Sequence, residues 1–442
     1  VQSLREVVPP CFWASLTTAL AFASLVFTEI PMIVDMGLQV AVGVLCAFVA
    51  TILVYPLICL RAGGTAAPLG TSSGHRLTRF SLWLEGIASQ RPGAVVAAFA
   101  LVLLVGGASA TRVRVNSPLL SDLDEAHPIR VTNRLLEERL SGVIPIDLLI
   151  EPPRGERIAA YSGEHLDRID SLTVRLRGVP EVLWATSAAD PLRRMGALLR
   201  KVPEGDVTSL LPTALLLADE QVEGWVHEGS DMQRIRLRIR DLDTDAAFSL
   251  FAKIARAYEE ELGRPAEGQI TGQGFLAQVA NRAMVRQFRA GFGVALLGVT
   301  LVLLLAFRDP VLAFVSLLPN LFPVVVVAGV MGAVGIDLRY TSALVLSVVF
   351  GLAVDDTIHV LAQLRRNQAA SDPIRATCKI AGPGLVLTSV LLACGFGVLL
   401  ASDFLPLRVM GGLLALTAVL ALASDLLLLP ALLRLLGRAK KV

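Results

Sequence analysis

Apolar residues in this 442-residue chain are gathered into long uninterrupted runs. A helix needs roughly 20 apolar residues, at about 1.5 Å per residue, to cross a hydrocarbon core about 30 Å thick. The runs predict eight such spans, over about 9–28, 34–60, 92–110, 288–307, 311–335, 341–363, 380–401 and 405–433. We therefore expect a polytopic α-helical membrane protein with about eight transmembrane helices.

A polar, charged stretch separates the third span from the fourth. Alternating and helical patterns predict a mixed succession of elements there: strands at Val143–Ile150, Val182–Ala185, 232–240 and Gln269–Thr271, and helices at 155–177 and about 245–262. Such a succession is typical of an α+β fold built from split βαβ units. We expect residues 111–287 to form an α+β domain between two spans.

Residues 232–240 alternate strictly between arginines and aliphatic residues. Arg234, Arg236, Arg238 and Arg240 therefore share one face of the predicted strand. The simpler interpretation is a solvated sheet face. A basic wall that faces a ligand is the alternative.

A Gly/Ser/Thr-rich linker follows the second span and runs into an amphipathic segment. Leu77, Phe80, Leu84 and Ile87 recur at helical spacing, and Trp83 is suited to an interfacial depth. We expect an interfacial helix that joins two bundles.

These boundaries predict six regions in order. They are two helices ending a first bundle (1–62), a cytoplasmic linker with an amphipathic helix (63–91), the first helix of a second bundle (92–110), the α+β domain (111–287), the five-helix remainder of the second bundle (288–437) and a basic tail (438–442).

Composition supports a membrane protein and excludes several other classes. Residues are 54% hydrophobic and 18% charged, with mean hydropathy +0.65, which is more apolar surface than a soluble fold could bury. A net charge of +2 is too small for nucleic-acid binding. The five cysteines lie in or beside apolar runs, so no disulfide framework is expected. Metalloprotease, nucleotide-loop and serine-hydrolase motifs are missing from the sequence, so we expect neither an enzyme nor a cofactor or metal site.

Basic residues predict the orientation. Fourteen Lys and Arg residues fall in short loops and termini on one side of the predicted spans, and only Arg339 and Arg408 fall on the other. By the positive-inside rule, we expect the C-terminus to be cytoplasmic and residues 111–287 to be extracytoplasmic. We expect the membrane itself to be the inner or plasma membrane of the cell.

The chain also matches itself, weakly but in order, at one constant offset between its N-terminal and C-terminal helix pairs. The aligned pairs are Pro9 with Pro383, Ser15 with Ser389, Phe22 with Phe396, Gly37 with Gly411, and Pro56 with Pro430. Both copies are apolar helix pairs with an acid near the connection, Glu29 or Asp403. Repeats of this kind are common in transporters. Because the first copy lies next to the start of the chain at Val1, we expect the C-terminal part of a protein nearly twice as long.

The sixth span contains two adjacent acids, Asp355 and Asp356, with His359 one turn further on. An intramembrane charge costs at least about 2.5–3.5 kcal/mol, so such residues are functional candidates. We predict a proton relay in which His359 donates to either acid. A polar cluster that fixes helix register, with His359 solvated at the cytoplasmic end, is the alternative. Asp425 in the last span is a further relay candidate, or it snorkels or pairs with a neighbour.

Residues Gly351–Arg366 (GLAVDDTIHVLAQLRR) resemble the signature helix of the resistance–nodulation–division (RND) superfamily, on its MMPL and predicted-exporter branch. Leu317–Val325 and Gly335–Leu338 resemble the helix and external loop before it, and these helices overlap the sterol-sensing domain of eukaryotic relatives. The resemblance implies a twelve-helix, pseudo-symmetric exporter driven by proton influx, in which 111–287 corresponds to the second porter domain. Asp355 and Asp356 match its acidic site, where many relatives have Asp-Tyr.

The leading hypothesis is therefore the C-terminal part of a proton-coupled exporter of lipid-like amphiphiles. It implies membrane lipids, an amphiphilic substrate, protons and the missing N-terminal half as partners, with a homo-oligomer as a further option. The alternative is a sterol- or lipid-sensing or scaffold membrane protein that binds lipid without pumping. An auxiliary of protein export ranks third.

Overall fold

The computed structural model describes residues 2–27, 31–61, 71–113, 123, 127–151, 163–190, 226–227, 232–338 and 340–437. The chain forms two compact units, one of Val1–Val115 with Ala283–Val442 and one of Asn116–Arg282. Glu29, the linker residues up to 70 and the basic tail 438–442 lie outside the described residues.

Helices dominate the element order. The helices are α1 (Gln2–Ala23), α2 (Pro31–Arg61), α3 (Thr71–Gln90), α4 (Pro92–Ala110), α5 (Pro128–Arg139), α6 (Gly163–Arg177), α7 (Thr244–Leu262), α8 (Gln273–Phe307), α9 (Pro310–Val334), α10 (Tyr340–Arg366), α11 (Pro373–Gly397), α12 (Leu405–Ala423) and α13 (Leu429–Leu435). The strands are β1 (Ile144–Ile150), β2 (Val182–Thr186), β3 (Val226–His227), β4 (Met232–Ile239) and β5 (Ile270–Thr271).

Seven stretches of the described chain have the length and apolar composition needed to cross a membrane. They are Val8–Phe27, Ile33–Ile58, Pro92–Ala110, Ala290–Phe307, Pro310–Val334, Pro373–Ala401 and Leu405–Leu435. The remaining predicted span, 341–363, lies within the 27-residue helix α10, which is about 40 Å long. The polytopic helical membrane fold is thereby confirmed.

Two of these helices begin with the same local device. Asp309 precedes α9 and accepts hydrogen bonds from the backbone N–H groups of Val311 and Leu312, and Asp372 precedes α11 and accepts from that of Arg375. A proline then fills the first turn of each helix, where its missing N–H has no consequence. The sequence therefore defines where both spans start.

The predicted internal repeat is present in the structure. Helix α1 ends in a 3₁₀ turn at Ser24–Phe27, and α2 begins at Pro31. Helix α11 ends in a 3₁₀ turn at Val398–Ala401, and α12 begins at Leu405. Each boundary in the second hairpin is displaced from its counterpart in the first by the same offset that relates Pro9 to Pro383.

A glycine closes each of these hairpins. A Cβ atom added at Gly37 would lie 2.7 Å from the backbone oxygen of Phe22, and one at Gly411 would lie 2.6 Å from that of Phe396. Phe22 and Phe396 are themselves an aligned pair of the repeat. The two hairpins therefore make the same close backbone contact at the same place, and only glycine leaves room for it.

Helix α10 is the central element of the membrane unit. It packs against α1, α9, α11 and α12. Among the described side chains of α10, five large apolar ones are almost entirely buried in the core of the unit: Val349, Phe350, Val354, Ile358 and Leu361. The acids of α10 are thus carried by the helix with neighbours on most sides.

Helix α3 forms where an amphipathic helix is predicted, but its faces are divided differently. Leu84 and Ser81 are buried, and Ser81 donates a 3.1 Å hydrogen bond to the backbone oxygen of Cys378 in α11. Phe80, Trp83 and Ile87 are exposed, and the rings of Phe80 and Trp83 stack on each other. The interfacial position of this helix stays a prediction.

The second unit, called the α/β unit below, packs helices against one antiparallel sheet. Its sheet has the order β2-β4-β1-β5, with β3 also paired to β4, and every pairing is antiparallel. Strands β1 and β2 both run opposite to β4, which lies between them, so β1–α6–β2 is a split βαβ unit. Because β4 and β5 both flank β1, β4–α7–β5 is a second one. The predicted α+β fold with split βαβ units is confirmed.

One face of this sheet is the core of the unit. Ile146, Leu148, Ile235 and Leu237 are fully buried against apolar side chains of α6 and α7. The predicted arginine stripe of β4 occupies the opposite face, where Arg238 is exposed and its guanidinium lies 5.9 Å from the ring centre of Trp184. Arg240 is exposed as well, whereas Arg234 and Arg236 are half-buried, so the solvated interpretation is supported at the C-terminal end of the stripe.

Candidate functional site: an intramembrane carboxylate cluster

Asp355 faces α1 across a close helix contact. Thr18 in α1 donates a 2.7 Å hydrogen bond from its hydroxyl to Asp355 Oδ1. One turn earlier on α10, a Cβ atom added at Gly351 would lie 3.2 Å from the Cβ of Ala21. The small residue Gly351 therefore admits a neighbouring helix, which brings a hydroxyl group to the acid.

Asp425 lies on the opposite side of α10, in the last span. It belongs to a π-helical segment, Ser424–Leu428, between α12 and α13, and only 1% of its surface is exposed. π-Helical turns inside α-helices occur frequently at functional sites, because the extra residue redirects a side chain. In this chain Asp425 is directed at α10 and does not snorkel to the surface.

Thr357 connects Asp425 to a third helix. Its Oγ1 atom lies 2.6 Å from Asp425 Oδ1 and 2.7 Å from Oδ1 of Asn320, which belongs to α9. All three side chains are buried, with at most 1% of each residue exposed. Asp356 directly precedes Thr357 in α10. Three helices thus contribute to one polar cluster.

The number of available protons limits the hydrogen bonds that this cluster can form. A hydroxyl group has one proton to donate, yet Thr357 Oγ1 faces two oxygen atoms. Both contacts are hydrogen bonds only if Asp425 is protonated and donates to Thr357, or if the Asn320 amide is turned so that its nitrogen donates. The protonation of Asp425 and the orientation of the Asn320 amide are therefore linked.

Two atoms of the cluster are buried without a hydrogen-bond partner among the described residues. They are Asp425 Oδ2 and Asn320 Nδ2. Within the residues that the structure describes, no Lys, Arg or His side chain forms an ion pair with Asp355, Asp356 or Asp425. A buried polar atom without a partner points to an ion-handling or catalytic role, or to a bound water.

Three of the four predicted site residues lie in α10 or pack against it. Asp355 and Asp356 are adjacent in α10, whereas Asp355 and Asp425 lie on opposite sides of that helix, each with its own hydrogen-bond partner. His359 is half-buried one turn further on, and within the described residues it makes no hydrogen bond to either acid of its helix. Its role in proton transfer stays a prediction.

Sequence reasoning assigned no role to Thr18, Thr357 or Asn320. Thr18 and Asn320 are small polar residues inside apolar runs, which is a weak signal for an intramembrane site, and Thr357 directly follows Asp355 and Asp356. Asn320 also lies between Pro319 and Pro323, which remove two backbone donors from α9. The described residues contain no group of three or more His, Cys, Asp or Glu side chains that could hold a metal ion.

Comparison with known proteins places this chain in a family. The model of the MMPL family matches residues 1–95 and 223–442, well over half of the chain. The chain belongs to the MMPL family. The resemblance noted at Gly351–Arg366 is thereby confirmed, since that segment lies within the matched region.

Two relatives are described by name as membrane proteins. MJ1562 of Methanocaldococcus jannaschii is 22% identical over 363 residues, which cover 78% of this chain and 90% of that protein. SCO6666 of Streptomyces coelicolor is 25% identical over 448 residues, which cover 96% of this chain and 55% of that protein. This MMPL chain is thus similar to most of one relative and about half of the other.

A solved structure shares the fold. The cryo-EM structure of the hedgehog release protein Disp from the water bear Hypsibius dujardini superposes with a TM-score of 0.55 at 14% identity. The match covers 99% of this MMPL chain and 59% of Disp. At this identity the likeness establishes the fold, and with the family match it makes this chain a multi-pass membrane protein of RND-like architecture.

Proposed function

We propose that this MMPL chain provides one side of a proton-coupled exporter of hydrophobic or amphiphilic, lipid-like molecules. The carboxylate cluster carries the proposal. Asp355, Asp356 and Asp425 are held within a helical membrane unit, and the hydrogen-bond pattern around Asp425 depends on whether it carries a proton. A site that exchanges protons and reorients a neighbouring helix contact when it does so is what proton coupling requires.

The test uses the full-length protein in proteoliposomes with an inward-directed proton gradient and an NBD-labelled phospholipid as the probe. Asp355→Asn combined with Asp356→Asn is expected to abolish both gradient-dependent movement of the probe and probe-dependent proton influx. Asp403→Asn, which changes an exposed acid of the same unit, is the matched control and is expected to behave as the wild type. Unchanged probe movement in the double variant would contradict the proposal.

The same experiment separates the proposal from the sensing alternative. A sterol- or lipid-sensing or scaffold protein binds lipid without using the gradient. Lipid binding that is retained in the Asp355→Asn, Asp356→Asn variant, with no gradient-dependent movement in the wild type, would favour that alternative.

The proposal includes a second membrane bundle as a partner, supplied by the remainder of a longer chain. Helix α12 is buried at Leu413, Leu414 and Ala418 against α9 and α10. The equivalent positions of its repeat counterpart α2 are Gln39, Val40 and Val44, and none of them is buried. Helix α2 also exposes a row of apolar side chains: Val42, Leu45, Val49, Leu53 and Leu57. Lipid alone can cover such a row, but the equivalence of the two hairpins favours helices that take the places of α9 and α10.

Cysteine cross-linking tests this partner. Val49→Cys in α2 is expected to cross-link to cysteines placed in helices encoded upstream of residue 1. Leu104→Cys in α4, which is also exposed and apolar, is the control and is expected to remain uncross-linked. Equal cross-linking of both positions would contradict a specific contact at α2.

In this proposal the C-terminus is cytoplasmic and residues 111–287 are extracytoplasmic, because Lys and Arg are concentrated on the C-terminal side. Reporter fusions check the orientation. A green fluorescent protein fused after residue 442 is expected to fluoresce, and alkaline phosphatase inserted in the α/β unit is expected to be active. The reverse pattern would overturn this topology.

A further inference from the structure

The α/β unit contains a cavity of about 240 Å³ where β1 ends, α6 begins and α7 ends. Ile150 and Leu262 supply apolar walls, and both are buried. Ligand clefts for drug-sized molecules have volumes of about 300–1,000 Å³. This cavity is smaller, so it has room for a small ion or for a single head group with a short apolar part.

Basic and hydroxyl groups converge on this cavity. His165 and Arg168 enter from the first turns of α6, Arg264 from just after α7, and Tyr258 from within α7. Tyr258 is 1% exposed, and the Nε2 atom of His165 is buried. These side chains together can direct several N–H and O–H donors at one bound group.

Two guanidinium groups make the surroundings of His165 electropositive. Burial lowers the pKa of His165 below its ordinary value, and the positive charges of Arg264 and Arg168 lower that pKa further. The surroundings of the imidazole therefore disfavour a further positive charge and favour a bound negative charge.

Two carboxylates also line the cavity and offset part of its positive charge. Glu164 pairs with Arg168 at 2.8 Å, but 80% of the Glu164 side chain is exposed, so this pair is at the rim and weak. Glu151 is exposed and offers its backbone oxygen to Arg264 Nη1 at 3.3 Å. A bound anion can therefore recruit Arg168 from its partner at small cost.

We propose that this cavity binds an oxyanion, a phosphate in particular, which is held by four side chains: Arg168, Arg264, His165 and Tyr258. The group belongs either to a free ion or to a lipid head group. The site is separate from the carboxylate cluster and does not depend on proton coupling.

Titration calorimetry on the full chain in detergent micelles tests the proposal, with inorganic phosphate as the first probe. Arg168→Gln and Arg264→Gln are each expected to weaken binding about tenfold, because each removes a charge-assisted hydrogen bond. Arg175→Gln is the matched control, since Arg175 is on the same helix, is 45% exposed and pairs with Glu260 away from the cavity. If Arg264→Gln fails to fold, Arg264→Lys takes its place and is expected to retain part of the affinity.

A second probe, dihexanoyl phosphatidic acid, distinguishes the sources of the phosphate. Tighter binding than inorganic phosphate, with the same sensitivity to Arg168→Gln, supports a lipid head group. Equal binding of the two probes supports a free ion. Absence of binding for both probes, or equal losses in Arg168→Gln and Arg175→Gln, overturns the proposal.

Sulfate is the probe for the pH dependence, because its charge is constant near neutral pH. A bound anion favours the protonated imidazole, so sulfate affinity is expected to fall as the pH rises from about 5.5 to 7.5. His165→Gln is expected to remove this dependence while leaving the effect of Arg168→Gln. An unchanged pH profile in His165→Gln would contradict the place of His165 in the site.

Discussion

Thr18 and Asp355 join α1 to α10 by a 2.7 Å hydrogen bond between residues 337 positions apart. Ala21 and Gly351 meet one turn away, which is further along α1 but earlier on α10. The helices are therefore antiparallel and close enough at this point for a short side chain to reach the acid. The packing of α1 against α10 therefore supplies the partner of Asp355, and no residue next to it in the sequence does so.

The value of the Thr18–Asp355 bond can be measured with a double-mutant cycle. Thr18→Val removes the donor and keeps the volume, so it is expected to destabilise the protein by about 1–3 kcal/mol where the carboxylate loses its partner. In an Asp355→Ala background the same change is expected to cost much less, with a coupling of about 0.5–3 kcal/mol. Reversible denaturation in detergent provides the measurement, with Thr18→Ser as the control that keeps the hydroxyl. Additive effects of the two changes would show that the bond contributes nothing.

Thr357→Val tests the cluster around Asp425. The change leaves Asp425 and Asn320 buried without the hydroxyl between them, at a cost of about 1–3 kcal/mol for each group. Thr357→Ser is expected to restore most of the loss. Thr417→Val is the matched control, because Thr417 is equally buried but its hydroxyl bonds only to the backbone oxygen of Leu413 in its own helix. Equal melting temperatures for Thr357→Val and Thr417→Val would argue against a structural role for the cluster.

The spans and the repeat could be predicted because they depend on local patterns. Apolar runs identify helices by length alone, and aligned glycines such as Gly37 and Gly411 mark the same hairpin contact twice. The split βαβ units followed from the order of strand and helix patterns between the third and fourth spans. Such features need no knowledge of which helices are neighbours.

The site could be predicted only in part, for a physical reason. Asp355, Asp356 and Asp425 stand out because a carboxylate in an apolar run is expensive. Thr18 and Asn320 have hydroxyl and amide groups that cost far less, so their importance appears only once α1 and α9 are placed against α10. The division of α3 between buried and exposed faces depended in the same way on α11, which covers Ser81.

Glycine contacts between α4 and α9 lead to a prediction about membrane packing. A Cβ atom added at Gly329 would lie 2.6 Å from the backbone of Gly106, with no flexible side chain to move aside. Gly329→Ala is therefore expected to force the helices apart and lower the melting temperature, as overpacking costs about 1–3 kcal/mol. Gly107→Ala is the control, since nothing lies within 4 Å of its Cβ position. Similar melting temperatures for both variants would contradict the close contact.

Arg434 holds two acids of different burial, which leads to a prediction about stability and pH. It lies 2.7 Å from Glu85, whose side chain is 1% exposed, and 2.9 Å from Asp372, whose side chain is 39% exposed. Arg434→Gln leaves a buried carboxylate without its counter-charge and is expected to destabilise the protein by about 3–5 kcal/mol. Adding Glu85→Gln to that variant is expected to recover much of the loss.

The pH dependence follows from Asp372 in the same cluster. Burial acts to raise the pKa of Asp372, but the hydrogen bond from Arg434 and the backbone N–H groups at the start of α11 outweigh burial and hold that pKa below its ordinary value. A lowered folded-state pKa contributes stability above the unfolded value of about 3.9, and this contribution is lost as the pH falls through the folded-state pKa. Asp372→Asn, which keeps the helix cap in part, is therefore expected to reduce stability at pH near 7 and to flatten the acid limb of the stability profile. A wild-type acid limb in Asp372→Asn, measured by thermal unfolding between about pH 3 and 7, would show that the acid limb has another origin.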